Sequence, residues 1–288
     1  MLRRCTLLAL PLGVRAYLPI VVGAAGGAIA AREHGARRHA ERLAAALLET
    51  LLNAIEANDP ITGAHVRRVA RFALILADAA GIDRRTQHCV ERVALFHDIG
   101  KISEALFDII HEDSTLTEEE RQSIATHPQR GADVLAPLDA FYPELAEGVL
   151  SHHERWDGKG YPRGLSGEAI PLVARVVSIA DTFDAITHSR RYRAGTTPDS
   201  AADRIRDGRG AQFDPDLVDL FLHPPVFARV RAAMKEAQEQ EAKPPRRRKS
   251  GERRRGEREP DAPDVKFRWR DSALALPHPD PVRRRPRG

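Results

Sequence analysis

Apolar residues return every three to four positions along most of this chain, a period that predicts helices. The pattern places them at 62–80, 84–97, 118–126, 128–136, 144–153, 171–188, 199–207 and 215–222, with one more from after Pro224-Pro225 to about Ala242. Local signals support the boundaries. Thr117 with Glu120 reads as a capping box. Gly81 ends one helix and Asp83 caps the next. The β-branched run "ARVVSIA" at 174–180 could be a short buried strand, but its continuation into "DTFDAITHS" favours a helix. No βαβ alternation, internal repeat or heptad array is present, so the expected fold class is all-α, a helical globule.

Upstream, residues 33–57 are rich in Ala, Leu and Arg. Leu43, Leu47, Leu51 and Ile55 recur every four positions, with Leu48 and Leu52 beside them. This is an amphipathic helix that either links the N-terminus to the globule or packs on it. Before it, Cys5 to Ala31 carries one charge, Arg15. The uninterrupted apolar run 16–31 is short for a bilayer span of roughly 20 residues, unless Arg15 snorkels near its end. Three readings stand for residues 1–32: a membrane anchor over 5–31, a signal peptide, or a misplaced start or soluble leader. Arg32, Arg37, Arg38 and Arg42 after the run would keep the C-terminal side of an anchor in the cytoplasm.

Charge divides the chain further. Residues 243–288 hold 16 basic and 7 acidic side chains, a balance of +9; the remaining 29 basic and 34 acidic residues give −5. The overall basicity therefore belongs to a Pro- and Arg-rich tail that cannot bury a core and is expected to be disordered. The favoured reading is a solvated tail, with electrostatic contact to acidic lipid or nucleic acid as the alternative; nucleic-acid binding is not expected. The two cysteines, Cys5 and Cys89, exclude a disulfide scaffold and a cysteine zinc cluster. The domain boundaries read as leader 1–32, linker helix 33–58, catalytic globule 59–225, C-terminal helix 226–242 and tail 243–288.

The acidic globule carries the candidate chemistry. His65, the pair His97-Asp98, His127, the pair His152-His153, and Asp181 are metal-type ligands spread over several helices. Imidazole and carboxylate suit first-row divalent metals, and ligands from different helices can converge in a bundle core. Seven such residues suffice for two cations if one carboxylate bridges. A buried His97-Asp98 pair needs a partner for its charge, and a cation supplies one. Gly100 allows close backbone approach. Lys101, one of two lysines before residue 235, could bind a phosphate oxygen or protonate a leaving group. Gly158, Gly160, Pro162, Gly164 and Gly167 form a turn-rich loop able to shape a pocket wall. Asp181 and Asp184 share a helix face, and Asp184 is placed to orient a ligand histidine. Arg190 and Arg193 carry guanidiniums suited to phosphate and base recognition, unless they simply face solvent.

These residues resemble the HD-GYP family, bacterial metal-dependent hydrolases of cyclic di-GMP within the HD superfamily. The resemblance rests on "TGAHVRRVA" (62–70), "FHDIGKI" (96–102), "HP" (127–128), "HHERWDGKGYP" (152–162), "IADTFDA" (179–185) and "QFDP" (212–215), in the family's order. It implies an HD-type helical bundle with a di-metal centre. His65, His97, Asp98, His127, His152, His153 and Asp181 match the ligands, with Asp98 bridging. Lys101 matches the lysine that acts beside the metals, and Asp98 and Lys101 are the expected catalytic pair. Arg190, Arg193 and Tyr161 match substrate-contacting positions, and Gly160-Tyr161-Pro162 is the eponymous loop, a possible docking point for a signalling partner. Two departures bear on the expectation. Trinuclear members have a Glu four residues before the first histidine; here Ile61 stands there, so two metals, iron or manganese, are expected. The segment after Ile102, "SEALFDIIHEDSTLT", lacks the family's proline-bearing turn.

The implied reaction is hydrolysis of cyclic di-GMP to pGpG, with a second cut giving GMP, by a catalytic domain in the cytoplasm. The alternatives are an HD phosphohydrolase acting on other nucleotides and a non-catalytic protein that binds the dinucleotide.

Overall fold

The computed structural model describes residues 12–102, 117–188 and 195–242, and for 12–31 the helical backbone only. Arg190 and Arg193, the segment 103–116, the tail and residues 1–11 lie outside it, as does the Glu120 side chain of the expected capping box. The chain divides into two units, 1–47 and 48–288.

Ten α-helices run through the described residues: α1 Leu12–Asn58, α2 Pro60–Ala79, α3 Arg84–Phe96, α4 Glu118–Ile124, α5 His127–Leu135, α6 Leu145–Ser151, α7 Leu172–Thr187, α8 Pro198–Asp207, α9 Pro215–Leu222 and α10 Pro224–Glu241. No strand is present among the described residues, which bears out the all-α expectation. The 174–180 run is helical, inside α7. Several helices start earlier than the apolar period implied, because an acceptor and a proline precede it. Asp59 caps α2 by accepting from the Ile61 N–H at 2.9 Å, and Pro60 fills the first helical position. The same pair of residue types, Asp214 and Pro215, opens α9 at the expected position 215. Pro224 and Pro225 begin α10 rather than precede it.

The first unit contains α1 up to residue 47. There Leu43 and Leu47 are exposed, although the four-residue period marked them as part of the apolar face. In the second unit the buried positions of α1 are Leu48, Leu52 and Ile55, the neighbouring stripe. Among the described residues no helix is long and apolar enough to cross a membrane; the stretch read as an anchor falls on residues whose side chains are not described.

In the second unit α2 packs on α3, α7 and α10, while α5 packs on α6 and on the 3-10 turn Ile99–Ile102 that follows α3. A cluster of phenylalanines centres on Phe183 of α7, whose ring lies 5.3 Å from Phe72, 5.5 Å from Phe221 and 6.0 Å from Phe227. Phe183 stands between Asp181 and Asp184 in sequence, so its packing fixes the rotation of the helix that carries both carboxylates.

Candidate metal centre

Histidines at helix ends are aimed by their own backbone. In an α-helix most carbonyls are used by the ladder, and those near the C-terminal end are free to accept a side chain. His97 follows α3 and donates from Nδ1 to the Ala94 carbonyl at 2.8 Å. His152 follows α6 and donates from Nδ1 to the Val149 carbonyl at 2.6 Å. His127, just after α4, donates to the Ile124 carbonyl at 2.7 Å. A carbonyl only accepts, so in each ring Nδ1 carries the proton and Nε2 keeps its lone pair. His65 is different. It lies inside α2, and its Nδ1 donates to Oδ2 of Asp184 on α7 at 2.7 Å.

The Nε2 atoms converge on two carboxylates. His65 Nε2 is 3.3 Å from Asp181 Oδ1 and 4.0 Å from Asp98 Oδ2. His97 Nε2 is 3.5 Å from Asp98 Oδ2 and 3.8 Å from Asp181 Oδ1. His127 Nε2 is 3.3 Å from the other Asp98 oxygen, Oδ1, and 3.2 Å from His152 Nε2. The His153 ring lies 4.1 Å from that of His152 and 5.0 Å from that of His127. The ligand atoms of His65, His97 and Asp98, and separately those of His127, His152 and His153, lie within 4.8 Å of one another, as a metal site requires. All seven residues read as ligands from the sequence are thus brought together. Ile61 is exposed, as a non-ligand would be.

The donor set fits a divalent cation. His65 Nε2, His97 Nε2 and Asp98 Oδ1 are buried and make no hydrogen bond. Buried polar atoms left unpaired are costly, and an electron-pair acceptor satisfies all three. Burial pushes the His97 imidazolium down, and burial with three neighbouring histidines pushes His152 far below its ordinary range. Burial lowers His153 to about 3. These rings are neutral, the form that ligates. His65 goes the other way. Burial opposes its charge, but the neighbouring carboxylates of Asp181 and Asp184 raise it to about 9. Asp98 is also opposed by burial, yet the Lys101 ammonium beside it holds its carboxyl well below the usual range.

The remaining candidates surround this cluster. Lys101 Nζ donates to Asp98 Oδ2 at 2.7 Å. Tyr161 stacks on His153, with centroids 4.9 Å apart and planes 24° apart. Its loop is held by Glu154, whose buried carboxylate accepts from the Arg163 N–H at 2.8 Å and the Leu165 N–H at 3.0 Å. Gly160 is required there: a Cβ would stand 2.4 Å from the Arg155 nitrogen. The "QFDP" segment backs the same loop, with Trp156 N–H donating to the Gln212 carbonyl at 3.2 Å. Asp184, read as a residue orienting a ligand histidine, does hold His65. Sequence reasoning missed Glu154 and Arg68. Arg68 lies three residues after His65, on the same face of α2, and that spacing was the available signal.

Comparison with known proteins decides the family. The HD domain family model matches residues 49–217, more than half of the chain. The protein belongs to the HD domain family. The HD-GYP resemblance read from its motifs is borne out by its relatives. The cyclic di-GMP phosphodiesterase response regulator RpfG of Xanthomonas campestris pv. campestris is 38% identical over 61% of this chain and 46% of its own length. The 3'3'-cGAMP-specific phosphodiesterase 2 of Vibrio cholerae serotype O1 is 34% identical over 65% of this chain and 36% of its own. A crystal structure of a cyclic GMP-AMP-specific phosphodiesterase of V. cholerae superposes with a TM-score of 0.49 at 24% identity, covering 71% of this chain and 53% of the other. This HD-domain chain thus spans less than half the length of these two curated relatives.

Proposed function

We propose that the protein is a two-metal phosphodiesterase that hydrolyses cyclic di-GMP to linear pGpG, with a second cut giving GMP. One observation carries the reading: Asp98 turns Oδ2 toward His65 and His97 and Oδ1 toward His127, so a single carboxylate serves both groups of histidines. His65, His97, Asp98 and Asp181 would hold one cation, and His127, His152 and His153 the other, with Asp98 shared. Iron and manganese suit this imidazole and carboxylate set. A bound pair of divalent cations supplies Lewis acidity toward phosphoryl oxygens and lowers the pKa of water.

The chain's own residues do the rest. Lys101 keeps an ammonium beside Asp98, where it can donate a proton to the leaving 3′ oxygen. Tyr161 stacks on His153, beside the ligands, and is the proposed substrate contact on the Gly160-Tyr161-Pro162 loop. Its phenol is pushed up to about 12 by burial and by the charges of Asp98 and Asp181, so it acts as a neutral donor. Arg190 and Arg193 are the proposed contacts to the dinucleotide. The domain then acts in the cytoplasm, and residues 5–31 are the segment available to hold it at a membrane.

The test is metal analysis of the purified chain together with turnover of cyclic di-GMP by wild type, His97→Ala and Asp98→Ala. Two equivalents of metal in wild type, and loss of metal and turnover in both variants, are expected. Hydrolysis that survived in Asp98→Ala with full metal content would overturn the reading. A second substrate, 3'3'-cGAMP, is favoured by the name of the V. cholerae relative, and the same assay run on both dinucleotides separates the two.

A further inference from the structure

His65 has no backbone carbonyl to fix its ring, since it sits inside a helix whose carbonyls are engaged in the ladder. The other three helix-end histidines are oriented by carbonyls three residues back. Asp184 takes that place for His65, and Asp184 must itself be held. It is buried, one turn beyond Asp181 on α7. Arg68 grips it with two prongs: Nε to Oδ1 at 2.7 Å and Nη2 to Oδ2 at 3.0 Å. His188 Nδ1 lies 3.0 Å from the same Oδ1. The third guanidinium nitrogen of Arg68, Nη1, reaches Oε1 of Glu241 at 2.5 Å, on the last residue of α10.

We propose that Arg68 is a positioning residue of the metal centre. It acts through Asp184: the fork fixes both carboxylate oxygens, one of which fixes Nδ1 of His65, so that Nε2 faces Asp98 and Asp181. Residues that orient a ligand histidine typically contribute about 10–100-fold to metal affinity. A lysine offers one point charge instead of a planar fork and cannot hold both oxygens. The Glu241 contact extends the same chain of hydrogen bonds to the end of α10. Its side chain is 43% exposed, so its share is the smallest of the set.

This inference rests on the two-metal reading above, and the experiment separates the two. The full 288-residue chain is titrated with Mn2+, free Mn2+ being counted by its EPR signal, alongside urea unfolding. Wild type is expected to take up two Mn2+. Arg68→Met is expected to weaken one of the two by about 10–100-fold and to leave the other within about twofold. Arg68→Lys should fall between, and Asp184→Asn should match Arg68→Met. Adding Arg68→Lys to Asp184→Asn should cost nothing more at the metal, because the arginine acts only through the carboxylate. If Arg68→Met does not fold, Arg68→Lys carries the test. Two Mn2+ bound as in wild type by Arg68→Lys and Arg68→Met, even with a lower urea midpoint, would make Arg68 a structural pin and overturn the inference while the metal centre stands. A wild-type chain that takes up no Mn2+ would overturn the metal-centre reading itself.

Discussion

Lys101 Nζ stands 2.7 Å from Oδ2 of Asp98, on a carboxylate that also faces three histidines. The ammonium shares that oxygen with whatever cation binds there, so it competes for Asp98 rather than helping to hold a metal. Lys101→Met is therefore expected to keep its full metal content and to lose about 100-fold or more in kcat on cyclic di-GMP, the range of a missing general acid. Metal analysis beside steady-state kinetics checks both halves; a variant that lost metal would assign Lys101 to assembly instead.

Glu154 holds the loop that carries Tyr161. Both of its oxygens accept backbone N–H groups in a buried setting. Glu154→Gln removes one acceptor and sets an amide against an N–H, which costs about 1–3 kcal/mol. A urea midpoint measures the loss. Exposed Glu168, in the same segment, serves as the control, and Glu168→Gln should leave the midpoint unchanged within error.

Gly100 carries the crossing between the turn after α3 and the start of α5. A methyl group there would stand 2.1 Å from the His127 carbonyl oxygen and 2.7 Å from the Gly131 nitrogen, both backbone atoms. Gly100→Ala must push the two segments apart, at a cost of at least about 1–3 kcal/mol, and with them His97-Asp98 from His127. Lower stability and lower metal content together are expected. Gly35→Ala is the contrast: nothing lies within 4 Å of that Cβ, and alanine gains roughly 1 kcal/mol of helix propensity.

Cys89 is buried, and burial with the nearby Glu144 charge pushes its thiol up to about 11 from 9.0. A raised thiol pKa means less thiolate at any pH below it. At pH 8 the reactive fraction falls by roughly 100-fold from ionisation alone, before access is considered. In a Cys5→Ser background, alkylation at pH 8 should be slow in the folded chain and fast in urea. Equal rates in the two states would contradict the burial.

Much of this arrangement was legible in the sequence, for a physical reason. The metal-type side chains interrupt apolar runs, as in "VALFHDIG", and a charge inside such a run has to be compensated. What the pattern could not choose was the buried stripe of α1. Leu43 and Leu47 lie beside Leu48 and Leu52 on a helix with leucines on adjoining faces, so the period fits either side; only tertiary packing selects Leu48 and Leu52. Arg68 escaped notice because an arginine on an arginine-rich chain reads as a solvated charge. Its partner, Asp184, lies 116 residues away, a pairing that local sequence does not reveal.

Phe183 is wedged among three other phenylalanine rings, while Asp181 and Asp184 on either side of it in sequence both reach His65. Core and chemistry therefore share one short stretch of backbone. On warming, the ring cannot leave its nest without turning Asp181 and Asp184 away, so inactivation and melting of this helix are one event, and no heated form should keep an intact interior while having lost its activity.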